Sequence, residues 1–150
     1  MTTGKRQRIE KNKLCSSDTA ADAINTISRA GTHCTRRRLT GKDASRLLSS
    51  SSHLPVKSLS LAKNPIGLPG GAAVLEFLTS KPGMESLDLS GCGIGDTSAF
   101  SIMSELTASS AVTLSSLKLQ ENGIHGPSPI LVKFLSKCKA LRSLDLSWNR

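Results

Sequence analysis

Aromatic side chains are nearly missing from this chain. Its 150 residues include no tyrosine, three phenylalanines and one tryptophan. A core without them must be built from Leu, Ile, Val and Ala, which suits a regular, layered structure better than an irregular globule. Cysteine is also sparse: Cys15, Cys34, Cys92 and Cys138 stand far apart and form no CxxC pair. That spacing argues against a disulfide framework and against a zinc site, and makes a reducing compartment the expectation. No run approaches 18 apolar residues, so no membrane span is expected. The start of the chain is charged but lacks the apolar segment of a secretory signal. The cytoplasm is the expected location, with the nucleus as the alternative.

Residues that carry chemistry are equally hard to find. His33, His53 and His125 lie in unrelated contexts without paired-ligand spacing. The segment GLPGGAAV from Gly67 lacks the lysine of a phosphate-binding loop, and no GxSxG elbow occurs. The carboxylates are scattered. No catalytic residue, no metal ligand and no cofactor is assigned, and the chain is read as a non-enzyme.

Charge is abundant but uneven. The formal net charge is +9, and residues 1–53 hold eleven Lys/Arg against four acids, whereas residues 54–150 hold nine against seven. Within the basic third, GKRQRIEKNK places Lys5, Arg6, Arg8, Lys11 and Lys13 in one arm. Such an arm is a solvated tail, a nuclear-import signal or a phosphate-binding segment. Arg36–Arg38 forms a second basic spot, either solvated edge charge or a contact for an acidic partner.

What the sequence has in quantity is self-similarity. VKSLSLAKNPIG from Val56, MESLDLSGCGIG from Met84, LSSLKLQENGIH from Leu114 and LRSLDLSWNR from Leu141 align without gaps. Their ninth positions are Asn64, Cys92, Asn122 and Asn149, separated by 28, 30 and 27 residues. The alternating pairs Leu59/Leu61, Leu87/Leu89, Leu117/Leu119 and Leu144/Leu146 read as short strands with one face turned inward. After each of the first three comes an i, i+3, i+4 stripe: Val74, Leu75, Phe77 and Leu78; Ala99, Ile102, Met103 and Leu106; Leu131, Phe134 and Leu135. That spacing predicts an amphipathic helix packed over the strand. A single strand–helix unit cannot bury its apolar face alone, so the units must stack, strands beside strands and helices beside helices.

These four L-x-x-L-x-L-x-x-N/C segments resemble the leucine-rich repeat family, in its ribonuclease-inhibitor-like subclass, over roughly residues 39–150. The resemblance implies an α/β solenoid with a curved parallel sheet inside and helices outside. It also implies that Asn64, Cys92, Asn122 and Asn149 form a structural ladder, their side chains capping backbone groups in the turn after each strand. Cys92 is therefore read as structural and not as a reactive thiol.

The domain reading follows. Residues 1–16 show no apolar periodicity and form a disordered basic arm. Residues 17–53 contain a cap helix, with Ala20, Ile24 and Ile27 at helical spacing, and a degenerate first repeat in which Leu39, Ala44, Leu47 and Leu48 match the later helix positions. Residues 54–150 are the repeats proper. The chain stops one residue after Asn149, directly behind its fourth repeat strand, and is read as incomplete at its C-terminus. A monomer is expected once further repeats cover that strand.

The strand positions between the leucines point away from the core and form rows: Ser58, Ser86, Ser116 and Ser143; Ser60, Asp88, Lys118 and Asp145; Ala62, Ser90, Gln120 and Ser147. Trp148 stands at the eighth position of the last strand. Small, polar and of mixed charge, this face suits protein recognition by hydrogen bonds, with Trp148 as a hot-spot anchor or as packing for a further repeat. It lacks the basic stripe and stacking aromatics of a nucleic-acid surface, so nucleic acid is not the expected partner. The function expected is a scaffold that binds another protein over the concave strand face. Two alternatives are carried: a regulator of small GTPases resembling the Ran GTPase-activating proteins, whose catalytic arginine matches no position here, and a nucleic-acid-associated protein using the basic arm.

Overall fold

The computed structural model describes residues 32–81, 83–108, 113–126 and 128–150. The basic arm and the cap helix lie outside the described residues. Among the described residues five strands and four helices alternate: β1 (Thr32–His33), α1 (Gly41–Ser50), β2 (Ser58–Ser60), α2 (Gly67–Thr79), β3 (Ser86–Asp88), α3 (Gly95–Ala108), β4 (Ser116–Lys118), α4 (Pro129–Lys137) and β5 (Ser143–Asp145). The strands form one parallel sheet in the order of the chain, β1-β2-β3-β4-β5. Such an order needs a crossover between every pair of neighbours, and each helix supplies one. This is an α/β leucine-rich repeat solenoid, with the sheet on one side and the helices on the other.

Register follows the repeat. Ser58, Ser86, Ser116 and Ser143 are paired across the sheet, as are Leu59, Leu87, Leu117 and Leu144. The first strand is paired Thr32 to Leu59 and His33 to Ser60, which puts Cys34 level with Leu61. Cys34 is fully buried there. The leucine columns and the inner helix faces make a single core, with Leu87, Leu89, Ile94, Ile102 and Met103 at its centre.

Helix ends are fixed by local chemistry and by the neighbouring unit. Thr40 caps α1 in a reciprocal box with Asp43, and Ser128 caps α4 ahead of Pro129. At α2 and α3 the first amides reach across instead: Gly67 N–H donates to the Cys92 carbonyl at 3.0 Å and Gly95 N–H to the Asn122 carbonyl at 3.1 Å. Close helix contact is set by Gly71, where any Cβ would collide with the Ser98 side chain of α3.

The last unit departs from the expected helix stripe. Phe134 is fully buried, but Leu131 is only half-buried and Leu135 is 46% exposed. Leu144 and Leu146 are likewise half-buried, unlike their fully buried counterparts Leu117 and Leu119. The cause is positional: among the described residues nothing stacks on the far side of α4 and β5.

Candidate functional site

Two sets of residues meet along the strand edge, an inner ladder and an outer face. Asn64, Asn122 and Asn149 turn inward behind their strands. Asn64 Nδ2 donates to the carbonyls of Cys34 (2.5 Å) and Leu61 (2.7 Å), and its Oδ1 accepts from the amides of Arg37 (2.8 Å) and Leu39 (3.1 Å). Asn122 repeats this, donating to Leu89 (2.8 Å) and Gln120 (3.1 Å) and accepting from Cys92 (3.2 Å) and Ile94 (3.3 Å). Asn149 donates to Leu119 and Leu146 and accepts from Asn122 and Ile124. Only an amide side chain, with two donors and an acceptor, satisfies carbonyls and amides of two units at once. Cys92 does less. Its Sγ donates to the Leu61 carbonyl at 3.2 Å, and burial pushes its pKa up to about 11, against the opposing pull of the Asn64 amide.

The eighth position bends the chain out of the strand. Arg36, Lys63, Glu121 and Trp148 all have positive φ, between 52° and 59°, and Gly91 has φ 63°. A left-handed backbone strains residues with a Cβ, so glycine is the unstrained choice and Gly91 takes it. A Cβ at Gly91 would also lie 2.8 Å from Lys63 Cδ. The open space lets Lys63 pass over the middle unit and pair with Glu121. Sequence reasoning missed this ridge; the signal available was the single glycine among larger side chains at the eighth position.

The outer face carries the rows read from sequence. Lys118 and Ser143 are exposed, and Ser58, Ser86, Asp88, Ser116, Gln120 and Asp145 are half-buried. Asp145 and Asp88 are each folded onto a serine two residues on, Asp145 Oδ1 accepting from Ser147 Oγ at 2.7 Å and Asp88 Oδ1 from Ser90 Oγ at 2.7 Å. The Ser147 hydroxyl and amide hold the Asp145 carboxyl below its ordinary range, helped by Gln120; Gln120 Nε2 donates to Asp145 Oδ2 at 2.6 Å. Ser60 needs correcting: it is only 6% exposed, with its hydroxyl 3.3 Å from Thr35 Oγ1. Ala62 and Ser90 are buried too, so the face is open mainly over β3, β4 and β5. Trp148 is 81% exposed.

Elsewhere, Lys57–Glu85 (2.7 Å) and Asp96–His125 (3.0 Å) join neighbouring units at the surface. Among the described residues no group of three His, Cys, Asp or Glu side chains is placed to hold a metal ion. Among the same residues no helix is long and apolar enough to cross a membrane.

Comparison with known proteins agrees with this geometry. A family model described as Leucine Rich repeat matches residues 53–75, 83–103 and 137–150. The β4 unit falls between those matches, yet β4 joins the sheet in the common register. No curated protein matches the chain. Among solved structures the chain is similar to Leiomodin-1 Actin-Binding Site 2, with a TM-score of 0.64 and 16% identity over 85% of this chain and 76% of that one. At that identity the likeness is one of fold. Repeated sequence, stacked strand–helix units and the family match at three places together show that this chain contains leucine-rich repeats.

Proposed function

We propose that the chain is a scaffold that binds another protein across the outward face of β3, β4 and β5. The observation that carries this reading is the set Asp88, Ser116, Lys118, Ser143 and Asp145, aligned across β3, β4 and β5 by register, with Gln120 bonded to Asp145 and the exposed Trp148 following β5. Hydrogen-bonding groups of both charge signs beside one large exposed aromatic are the ingredients of a specific protein interface. Behind them the leucines of β3 and β4, Leu87, Leu89, Leu117 and Leu119, are fully buried. Ser58 and Ser86 extend the face toward β2, while Ser60 contributes no open surface.

The test is a photo-crosslinking residue at Lys118, compared with one at Lys133 on the outer side of α4. A partner captured from Lys118 and not from Lys133, and lost on Trp148→Ala or Asp145→Lys, supports the reading. Equal capture from both positions would sink it. Monomeric actin is the first defined partner to try, because the solved structure of similar fold is named for binding it. Regulation of a small GTPase is the alternative; unchanged GTP hydrolysis by a panel of small GTPases would remove it.

A further inference from the structure

We propose that Thr40 is a phosphorylation site for an arginine-directed protein kinase, and that phosphate there rewires the start of α1. Three consecutive arginines, Arg36, Arg37 and Arg38, precede Thr40 by four, three and two residues. A kinase whose substrate cleft is acidic selects its hydroxyl by such a charge pattern. Thr40 is exposed, as are Arg36 and Arg38. The backbone at Thr40 is extended, with φ −85° and ψ 171°. This segment lies on the rim beside α1, apart from the strand-face residues of the proposed interface.

The reaction balances simply. Thr40 Oγ1 attacks the γ-phosphorus of ATP, the bond to the bridging oxygen of ADP breaks, and the hydroxyl proton passes to the kinase's general base. The consequences follow from the cap. Unmodified, Thr40 Oγ1 donates to Asp43 Oδ2 at 2.7 Å, and the Thr40 amide donates to the same oxygen at 3.0 Å. These bonds, the side-chain one first, lower the Asp43 pKa. A phosphoester oxygen has no proton to donate, and a phosphate of nearly two negative charges cannot share the helix start with an ionised Asp43. The first-turn amides favour the phosphate, so Asp43 is released. The local balance changes as well: residues 32–53 carry five Lys/Arg against Asp43 alone, and phosphate removes about half of that excess.

Access has a cost that makes the proposal more specific. Leu39 is fully buried, and its amide is held by Asn64. The kinase therefore acts on a form in which this rim segment has locally opened, and the rate of modification tracks that opening.

The experiment treats the full chain with the catalytic subunit of an arginine-directed kinase and ATP, followed by intact mass and fragmentation. One phosphoryl group at Thr40 is expected, retained in Thr40→Ser and absent in Thr40→Asn, which still caps the helix. Arg37→Gln with Arg38→Gln should slow the reaction about tenfold or more, since each removes a charge-assisted contact to the kinase. Asn64→Ala should speed it. No incorporation into the native chain, while a peptide of residues 34–43 is modified readily, would overturn the proposal. Equal incorporation into Thr40→Asn would overturn it too.

Discussion

Asn122 is where the energetics of this fold can be tested most sharply. Its side chain is 3% exposed and makes four hydrogen bonds, two donated to the Leu89 and Gln120 carbonyls and two accepted from the Cys92 and Ile94 amides. A typical net contribution is about 1 kcal/mol per bond, and a buried group left without a partner costs about 1–3 kcal/mol. Asn122→Ala removes all four bonds and strands amides that no water reaches easily, so a loss of about 3–5 kcal/mol is expected. A domain of this size has roughly 5–15 kcal/mol in total, so the variant should lose about a fifth of it or more. Asn149 makes the same kind of bonds but is only half-buried. Its partners can turn to water, and Asn149→Ala should cost about 1–2 kcal/mol. Urea unfolding followed by far-UV circular dichroism gives both numbers, with an unchanged slope as the condition for comparing them. If Asn122→Ala loses less than about 1 kcal/mol, or no more than Asn149→Ala, the ladder is not what holds the units together.

Other expectations follow from the same structure. Gly91→Ala should cost about 1–2 kcal/mol through its left-handed backbone and weaken the Lys63–Glu121 pair, visible as a lower midpoint in the same urea assay. Cys92 should resist thiol reagents in the native state and react on unfolding, because the thiolate is the reactive form and its pKa lies near 11. Its raised pKa stabilises the fold fully below the unfolded value near 9, and that stabilisation should fade as pH rises through about 11; Cys92→Ala should flatten this part of the pH profile. The Asp96 pKa is lowered, first by the His125 amide and then by its ring. Stability from this link is present above the ordinary carboxylate range and lost as pH falls through the folded value. Titration of the Asp96 carboxyl by NMR should show the shift diminish in His125→Pro, which has no amide proton.

The frame of this protein was legible because it repeats. Four copies of one nine-residue pattern placed β2 to β5, and the stripes after them marked the inner faces of α2 and α3, with Leu75 only half-buried. The first unit could be found only by its helix residues, since Thr32 and Cys34 stand where later strands have leucine. The last unit misled for a different reason. Periodicity reports which face of a helix is apolar, not whether anything lies against it, so Leu135 reads as core and is half open. The same limit applies to the strand face. Alternation says that Ser60 points away from the leucines, but only the neighbouring strand decides that Thr35 covers it. The left-handed ridge left a single mark, Gly91, because Lys, Glu and Trp carry no signal for positive φ.

The asparagine ladder also gives the solenoid a polarity. Each rung belongs to one unit and completes the turn of the unit before it: Asn64 serves Arg37 and Leu39, Asn122 serves Cys92 and Ile94, and Asn149 serves Asn122 and Ile124. Trimming a unit from the front leaves an asparagine whose freed groups are simply hydrated. Trimming one from the back leaves an uncompleted turn in the unit that remains. Between the second and third units the rung is Cys92, which reaches back with a single thiol, so an array built this way should come apart there first.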